Sequence, residues 1–396
     1  MIKKLNILNL SSLSVWNLGD NKGRLSIYLP LVNLTKNGHN VFYLTNEKKQ
    51  KEGEVEGIKI IKVWMPIRPM MKKGLQIFTG LILYPITVLC YLITGIKISK
   101  KNKPDIIYAH TADTALPAFI LSKLYGAKYV LRLYGVKPIP QKNLLKKILL
   151  YDLLIAINLD ADLYILTNDG TRADELLYRH NIKRDKIHFL KNGIDKNWAD
   201  TITNQKLRKE IAPHNEKIII TVSRLAKWKQ VDIILKAIPG LVELNRNIKL
   251  VIVGDGIEKE NLQNMANNLN INNNVVFVGA QEQQSVVDYL RISDVFVSMN
   301  ALSSMSNPVF EAMICGKTVI ALNRGATGDL IKNNITGILV NDNETNNLPK
   351  IIHNILENDY LRKEIGDNAQ KYMLNEWPSW EERVNYELNL IETLGF

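Results

Sequence analysis

The chain has 396 residues, of which 46% are hydrophobic, and it carries 51 basic against 39 acidic side chains, a surplus of 12 positive charges. This length predicts two domains, and the apolar content excludes global disorder. The surplus favours anionic partners, but the basic residues form no tail, so nucleic acid is not expected as a partner. Two distant cysteines, Cys90 and Cys315, exclude a disulfide scaffold and a cysteine zinc site, and favour the cytoplasm.

Short apolar runs alternate with amphipathic stretches along the chain. The first run is too short for the core of a signal peptide, so we interpret it as a strand and expect no export. Repeated strand, helix, strand patterns predict parallel sheets with helices on both faces. The predicted strands are Leu5–Leu10, Val41–Thr45, Ile58–Val63, Ile106–Ala109, Tyr129–Leu133 and Leu163–Thr167, then Ile218–Val222, Leu250–Val253, Val275–Val278, Val295–Val297 and Val319–Leu322.

The pattern restarts near Lys217, after the polar stretch Asn192–Glu216. We therefore predict an α/β chain of two doubly wound domains, residues 1–195 and 196–376. Because such sheets bind ligands at the carboxyl ends of their strands, the cleft between the domains is the expected site. The last segment, 377–396, is predicted to be a helix that crosses back to the first domain.

Residues 75–96 form an uncharged apolar segment that is long enough for a membrane-spanning helix. Pro85 lies near its centre, however, and the strands on either side of it belong to one domain, so we reject a single crossing. We predict a helix or helical hairpin that dips into the membrane interface, with flanking lysines on anionic head groups. The alternative is a buried core helix with a fringe of surface lysines. The lysines are Lys72, Lys73, Lys97, Lys100, Lys101 and Lys103.

A basic loop follows the strand Ile218–Val222. Arg224 and Lys229 lie in this loop, where a strand ends and a helix begins. Two cations and the local backbone N–H groups could hold a diphosphate there. The alternative is a solvated basic loop that binds nothing.

The segment Asn307–Met313 opens a helix after a buried strand. Ser306 or Asn307 can cap this helix, and Pro308 suits its first turn. Glu311 is then expected in the first turn, where its carboxylate could accept two hydrogen bonds from a ribose diol. The alternative is a capping-box glutamate that stabilises the helix and binds no ligand.

Three further features follow predicted strands. Gly254 and Gly256 would let the backbone approach a ligand closely. His110 could touch a donor sugar or a reacting group, although a lone histidine is commonly a packing or hydrogen-bonding residue. Asn168–Thr171 is a polar turn, interpreted either as an ordinary turn with a helix cap or as part of an acceptor or donor site.

Together and in this order, these motifs resemble family 4 glycosyltransferases of the GT-B fold, over nearly the whole chain. The resemblance departs from the family pattern where two glutamates stand eight positions apart, because the second falls on Glu311 but the first falls on Ser303. The segments that carry the resemblance are Gly19–Gly23, Lys36–Val41, Pro104–His110, Asn192–Asp195, Ser223–Lys229, Gly254–Gly256, Phe277–Gly279 and Asn307–Met313.

The resemblance implies a retaining hexosyltransferase that uses a nucleotide diphospho-sugar and needs no cofactor and no metal in the site. Arg224 and Lys229 would neutralise the diphosphate, Glu311 would hold the ribose, and domain closure would exclude water. His110 would approach the sugar from the first domain, and the N–H groups of residues 305–307 would face the donor. The implied donor-binding positions are Gly23, Ser223, Gly254, Gly256, Val278, Gly279, Ser303, Met305, Ser306, Asn307 and Val309.

The resemblance also suggests a lipid-linked or glycan acceptor at an anionic membrane surface, in surface polysaccharide biosynthesis. The protein would then be cytoplasmic and peripherally bound to the inner face of the cell membrane. The alternative is a catalytically inactive family member that binds a nucleotide sugar or acts as a scaffold. Ser303 supports that alternative, whereas the presence of Arg224, Lys229 and Glu311 argues against it.

Overall fold

The computed structural model describes residues 3–13, 25–48, 50–65, 76–136, 148 and 150–395. The chain divides into two units. The first contains residues 1–168, 172–192 and 380–396, and the second contains residues 169–171 and 193–379. Gly23, the loop that contains it and Leu75 lie outside the described residues.

The first unit is built on an eight-stranded sheet with the order β3-β4-β2-β1-β5-β6-β7-β8. The predicted parallel sheet is confirmed, except that β3 pairs antiparallel with β4. The turn between these two strands is Glu56–Gly57, and both residues have positive φ, as a two-residue hairpin requires. The strands are β1 Asn6–Ser11, β2 Asn40–Thr45, β3 Gly53–Val55, β4 Ile58–Lys62, β5 Ile106–Ala109, β6 Lys128–Leu133, β7 Leu163–Thr167 and β8 Ile187–Leu190.

Helices cover this sheet. The apolar segment forms one continuous helix, α2, that runs through Pro85, so the hairpin alternative is wrong. Gly95 allows α2 to pack closely on α3, because a Cβ there would lie 2.5 Å from a methyl carbon of Leu121. The helices are α1 Leu25–Lys36, α2 Gln76–Lys101, α3 Ala115–Tyr125, α4 Tyr151–Ile157 and α5 Ala173–Arg179.

The second unit contains a six-stranded parallel sheet with the order β11-β10-β9-β12-β13-β14. Its central strands are apolar on both faces, as expected when helices cover both sides. The strands are β9 Lys217–Val222, β10 Ile248–Val253, β11 Val275–Gly279, β12 Val295–Ser298, β13 Thr318–Leu322 and β14 Ile338–Val340. The helices are α6 Gln205–Ile211, α7 Val231–Leu244, α8 Lys259–Asn268, α9 Gln283–Ile292, α10 Asn307–Ile314, α11 Thr327–Leu330, α12 Leu348–Glu357 and α13 Asp359–Glu376. The last helix, α14 Trp380–Gly395, belongs to the first unit.

Each sheet has one position where the chain reverses the direction in which it adds strands. In the first unit this position lies between β1 and β5, and in the second unit it lies between β9 and β12. The loops on either side of such a position diverge and leave a crevice at the carboxyl ends of the strands. The topology therefore marks one candidate ligand site in each unit.

Among the described helices, one stretch is long and apolar enough to cross a bilayer by length and composition, Gly80–Lys101, of which 22% is buried. Its inner face carries the buried side chains of Tyr84, Val88 and Tyr91. The strands before and after it, β4 and β5, belong to the same sheet. A single crossing would place those two strands on opposite sides of the membrane.

Candidate functional site

The loops after β9 and β10 are tied together at the reversal point of the second sheet. The N–H of Ser223 donates to the carbonyl of Val253 at 3.0 Å, and the N–H of Leu225 donates to the carbonyl of Asp255 at 2.9 Å. A Cβ at Gly254 would lie 1.9 Å from the Ser223 carbonyl oxygen, and both Gly254 and Gly256 have positive φ. These glycines are therefore needed for the contact between the two loops.

The same packing applies at Gly256, where a Cβ would lie 2.3 Å from the Leu225 carbonyl oxygen. The next predicted loop joins the assembly because the N–H of Gly254 donates to the carbonyl of Gly279 at 2.8 Å. The neighbouring Val278 carbonyl accepts from the Gln281 side-chain amide at 3.3 Å. Hydrogen bonds thus join the three strand-end loops into one floor.

Arg224 and Lys229 lie close enough on this floor to interact electrostatically. Arg224 is exposed and Lys229 is partly buried. Within the described residues, neither side chain forms a salt bridge or hydrogen bond. Burial lowers the pKa of Lys229, the Arg224 guanidinium lowers it further, and Asp169 opposes both effects. Two adjacent cations without a neutralising salt bridge are suited to an anionic ligand.

Ser223 directly precedes Arg224 in the loop that carries these two cations. Its Oγ is buried and has no hydrogen-bond partner among the residues that the structure describes. A buried hydroxyl of this kind is normally satisfied by water or by a ligand. Ser223 therefore adds a polar group to the loop that carries the two cations.

Glu311 lies in α10, directly after the loop that follows β12. Ser306 caps this helix without a side-chain hydrogen bond, and Pro308 occupies its first turn. Glu311 is the fifth helical residue, so the expectation that it lies in the first turn is wrong. A capping box would need the glutamate at the third helical position, which is Val309. The capping-box interpretation is therefore excluded.

Glu311 is 6% exposed. Burial raises its pKa to about 7, although the side-chain amide of Gln283 donates to it at 3.4 Å. Such a carboxylate gains from further hydrogen-bond donors, because donors stabilise its charged form. Vicinal hydroxyls of a bound ribose are donors of this kind.

Two backbone N–H groups of the loop before α10 already donate hydrogen bonds within the second unit. The hydroxyl of Ser303 accepts from the N–H of Met305 at 3.1 Å, so one of the three amides predicted to face the donor is already engaged. The N–H of Ser304 donates to the Thr327 hydroxyl at 2.8 Å. Met305 and Val309 are buried in the core of the second unit. Their side chains therefore serve packing, while Ser306 and Asn307 stand at the start of the helix.

Residues Asp169–Thr171 of the polar turn belong to the second unit, and they pack on Ser303. A Cβ at Gly170, whose φ is +81°, would lie 2.0 Å from the Ser303 hydroxyl oxygen, and the Gly170 carbonyl accepts from the N–H of Ala326. The Asp169 carboxylate accepts from the N–H and the hydroxyl of Thr171, at 3.0 and 2.6 Å. Sequence reasoning did not place Asp169 beside Lys229, because the two residues are 60 positions apart.

His110 lies in the first unit, at the end of β5, and is fully buried. Its Nδ1 lies 2.9 Å from the Tyr134 hydroxyl and its Nε2 lies 2.9 Å from the Asn9 side-chain oxygen. Burial first, and then the nearby Arg132 guanidinium, lower the pKa of His110 to about 3. The histidine is therefore neutral, and both ring nitrogens are already in hydrogen bonds.

A cavity of about 320 Å³ opens beside His110. It lies at the carboxyl ends of β1, β5 and β6, which is the reversal point of the first sheet. Its wall mixes polar and aliphatic side chains, a lining suited to a ligand with both characters. The lining residues are Leu13, His110, Thr111, Ala112, Leu133, Tyr134, Gly135, Val136, Leu150, Asp152 and Leu153.

The sequence matches two family models that together extend over most of the chain. Residues 31–198 match Glycosyltransferase Family 4, and residues 203–372 match Glycosyl transferases group 1. The boundary between the two matches lies close to the boundary between the two structural units.

Similar proteins have been described in several organisms. An uncharacterised glycosyltransferase of Methanocaldococcus jannaschii is 29% identical over 217 residues, which are 54% of this chain and 55% of the relative. A diphospho-undecaprenol 4-alpha-N-acetylgalactosaminyltransferase of Campylobacter jejuni is 28% identical over 211 residues, 53% of this chain and 55% of the relative. The matches thus span about half the length of these relatives.

Solved structures of other proteins share this fold. The crystal structure of HepE of Anabaena in complex with UDP superposes with a TM-score of 0.71 at 19% identity, and covers 98% of this chain and 99% of that chain. This likeness establishes the architecture of two parallel-sheet, Rossmann-like units.

Proposed function

Since the chain belongs to the group 1, family 4 glycosyltransferases, we propose that it transfers a hexose-type sugar from a nucleotide diphospho-sugar to an acceptor hydroxyl, with retention of anomeric configuration. The observation that carries this proposal is that Arg224, Lys229 and the buried Glu311 follow β9 and β12, the two strands at the reversal point of the second sheet. The Anabaena neighbour binds UDP, as its description states.

The two cations would act on the leaving group. Breaking the glycosidic bond leaves a negative charge on the diphosphate, and cations already in place stabilise that charge without reorganisation. Arg224 is exposed and can adapt to the ligand, whereas Lys229 is partly buried. The proposal therefore needs no metal for charge neutralisation.

Glu311 would recognise the nucleoside. Its carboxylate is buried, and among the described residues the weak Gln283 contact is the one hydrogen bond that stabilises its charge. Two ribose hydroxyls would supply the missing donors, and the site would then favour ribonucleotides over deoxyribonucleotides. Loss of the carboxylate should mainly weaken donor binding.

The acceptor would bind to the first unit. The cavity beside His110 offers polar groups from Thr111 and Asp152 together with aliphatic walls. A sugar attached to a lipid carrier combines hydroxyl groups with an apolar tail. The Campylobacter relative is named for an undecaprenol-linked substrate, which is consistent with this choice.

Helix α2 would bring the enzyme to a membrane. Leu89 and Ile93 on its outer face are 56% and 60% exposed, and Ile82 is 72% exposed. Two lysines end the helix, Lys100 and Lys101. An exposed apolar stripe with adjacent cations is suited to the interface of an anionic bilayer, which we propose as the cytoplasmic face of the cell membrane.

An inactive, nucleotide-sugar-binding member of the family remains the second candidate because of Ser303. The packing of Gly170 on Ser303 leaves no room for a side chain at position 170 without movement of the loop. Asp169, on the same loop, supplies a carboxylate beside Lys229. We propose that this carboxylate compensates for the missing glutamate, so that the enzyme is active.

The first experiment is a thermal-shift screen of the purified protein against nucleotide diphospho-sugars and free nucleotides. A ligand that binds the folded state raises the melting temperature. We expect a shift with one nucleotide family, and a smaller shift for Glu311→Ala. Transfer to lipid-linked acceptors is then measured, and the anomeric configuration of the product is read by NMR. Binding without transfer to any acceptor would favour the inactive candidate, and absence of binding would contradict both.

A further inference from the structure

Three charged side chains are buried between β6 and the C-terminal helix α14. Glu387 on α14 is 1% exposed and lies 2.8 Å from Arg132 on β6 and 2.8 Å from Arg383 one turn earlier. Burial opposes ionisation of Glu387, but the two guanidinium groups lower its pKa to about 2. The carboxylate is therefore ionised at every pH at which the protein is expected to work.

Stability alone gives no reason for this cluster. Burying an ion pair costs desolvation energy, and well-packed apolar residues in its place are often as stable. The Nε atoms of Arg132 and Arg383 are buried and have no hydrogen-bond partner among the described residues. Such groups suggest a role other than stability.

Two paths lead from Glu387 to His110. In the first, the Tyr108 hydroxyl donates to Glu387 at 2.8 Å, and the Tyr108 ring stacks on the His110 ring with centroids 4.2 Å apart. In the second, Arg132 lies 4.7 Å above the Tyr134 ring, and the Tyr134 hydroxyl is 2.9 Å from His110 Nδ1. The contacts form a closed circuit that begins and ends on the histidine.

Asn9 and the Tyr134 hydroxyl of the circuit leave His110 one tautomer. The Asn9 amide nitrogen donates to the Phe42 carbonyl at 3.1 Å, so the Asn9 oxygen faces the histidine and accepts from Nε2–H. Nδ1 is then unprotonated and accepts from the Tyr134 hydroxyl. Hydrogen bonds at both nitrogens and a stacked ring on one face together fix the orientation of the imidazole.

His110 and Tyr134 also line the cavity of the first unit. We propose that Glu387 is a positioning residue, which acts through Tyr108 and Arg132 to fix the His110 and Tyr134 side chains on the wall where the acceptor binds. This inference rests on the proposed function. It assigns to the C-terminal helix a part in acceptor placement.

The test uses Tyr108→Phe, which removes the hydroxyl that joins Glu387 to the aromatic stack and keeps the packing. Glu387 retains Arg132 and Arg383, so the fold should persist. The matched control is Tyr164→Phe in β7, which removes another hydroxyl of a buried tyrosine ring, one that donates to the Leu159 carbonyl at 2.8 Å. We expect Tyr108→Phe to lower kcat/KM for the acceptor at least tenfold, while donor affinity changes less than twofold in both variants.

A second readout does not depend on activity. Nitrogen-15 NMR of the His110 ring should show a single Nε2–H tautomer in the wild-type protein, and mixed or exchange-broadened signals in Glu387→Gln and Tyr108→Phe. Equal kinetics in the two tyrosine variants, or an unchanged tautomer in Glu387→Gln, would overturn the inference. Altered histidine signals in a protein that transfers no sugar would retain the positioning circuit and reject only the proposed function.

Discussion

The carboxylate of Asp169 and the ammonium group of Lys229 are electrostatically coupled in the second unit. Asp169 raises the pKa of Lys229, against the lowering by burial and by Arg224. In return, Lys229 lowers the pKa of Asp169, which burial raises. The pair therefore places one negative charge beside the two cations assigned to the donor diphosphate.

Asp169→Asn should strengthen the binding of a nucleoside diphosphate. Removal of a negative charge near the ligand is worth about 1 kcal/mol in a solvated site, or about fivefold in Kd. Calorimetric titration with the nucleotide identified in the thermal screen measures this change. Asp185→Asn, an exposed residue in the first unit, is the control. Unchanged or weaker binding would show that Asp169 does not face the diphosphate.

Lys229→Ala should reduce transfer at least 100-fold and leave the fold intact, because the lost cation acts on charge that develops as the bond breaks. Lys227→Ala is a close control, since Lys227 lies in the same short 3₁₀ turn but is exposed. Initial rates and melting temperatures are measured for both variants. Near wild-type turnover of Lys229→Ala would contradict the assignment of the cation pair.

Glu311→Gln should change how stability depends on pH. The pKa of Glu311 is about 7 in the fold and about 4.5 when unfolded. A carboxyl group with a raised folded-state pKa contributes stability below the unfolded pKa, and that stability is lost as pH rises through the folded pKa. Relative to wild type, the free energy of unfolding of Glu311→Gln should therefore rise by about 3 kcal/mol between pH 4.5 and 8.

Urea unfolding at several pH values measures this difference. Glu216→Gln is an informative control, since Glu216 is also buried but its pKa is lowered by backbone N–H donors and Lys249, which outweigh burial. The wild-type fold gains from that carboxylate above the unfolded pKa, so the sign of the change should reverse. The same sign in both variants would contradict the burial assigned to Glu311.

Replacement of Lys97, Lys100 and Lys101 by Gln should weaken binding to vesicles that contain anionic lipid, by about 1 kcal/mol for each lysine near the surface. Ile93→Ser should weaken binding to anionic and neutral vesicles alike, because it removes apolar contact. Vesicle co-sedimentation measures both effects. A triple variant of the exposed Lys206, Lys209 and Lys363 is the control. Unchanged partitioning of the first variant would favour a core helix with solvated lysines.

Removal of divalent cations with EDTA should leave the transfer rate within twofold of the untreated enzyme. The reason is that Arg224 and Lys229 supply the positive charge at the diphosphate in the proposed mechanism. Activity that requires added Mg²⁺ or Mn²⁺ would contradict that part of the proposal.

Much of the architecture follows from local pattern. The eleven predicted strands are all present, with ends that differ by at most two residues, because strands buried on both faces are apolar along their whole length. The missed strands β3, β8 and β14 are short, and β3 carries a glycine and a glutamate in three residues. Its pairing depends on the hairpin turn at Glu56–Gly57 and not on apolar periodicity.

The candidate site was predictable only in part. The segments that carry Arg224, Gly254 and Glu311 could be predicted from the sequence, because each follows a buried strand. Parallel strands bring their carboxyl ends to one edge of the sheet. Gln283 beside Glu311 and Asp169 beside Lys229 have no local signal, since each contact joins residues far apart in the chain.

The sequence by itself therefore determined the fold class, the family and the cations of the candidate donor site, because these depend on periodicity and short motifs. The tertiary structure decided the protonation of the side chains and the burial and hydrogen bonding of His110. Burial and neighbouring charges set those properties, and both arise only when distant segments pack, as α14 does when it brings Glu387 to Arg132.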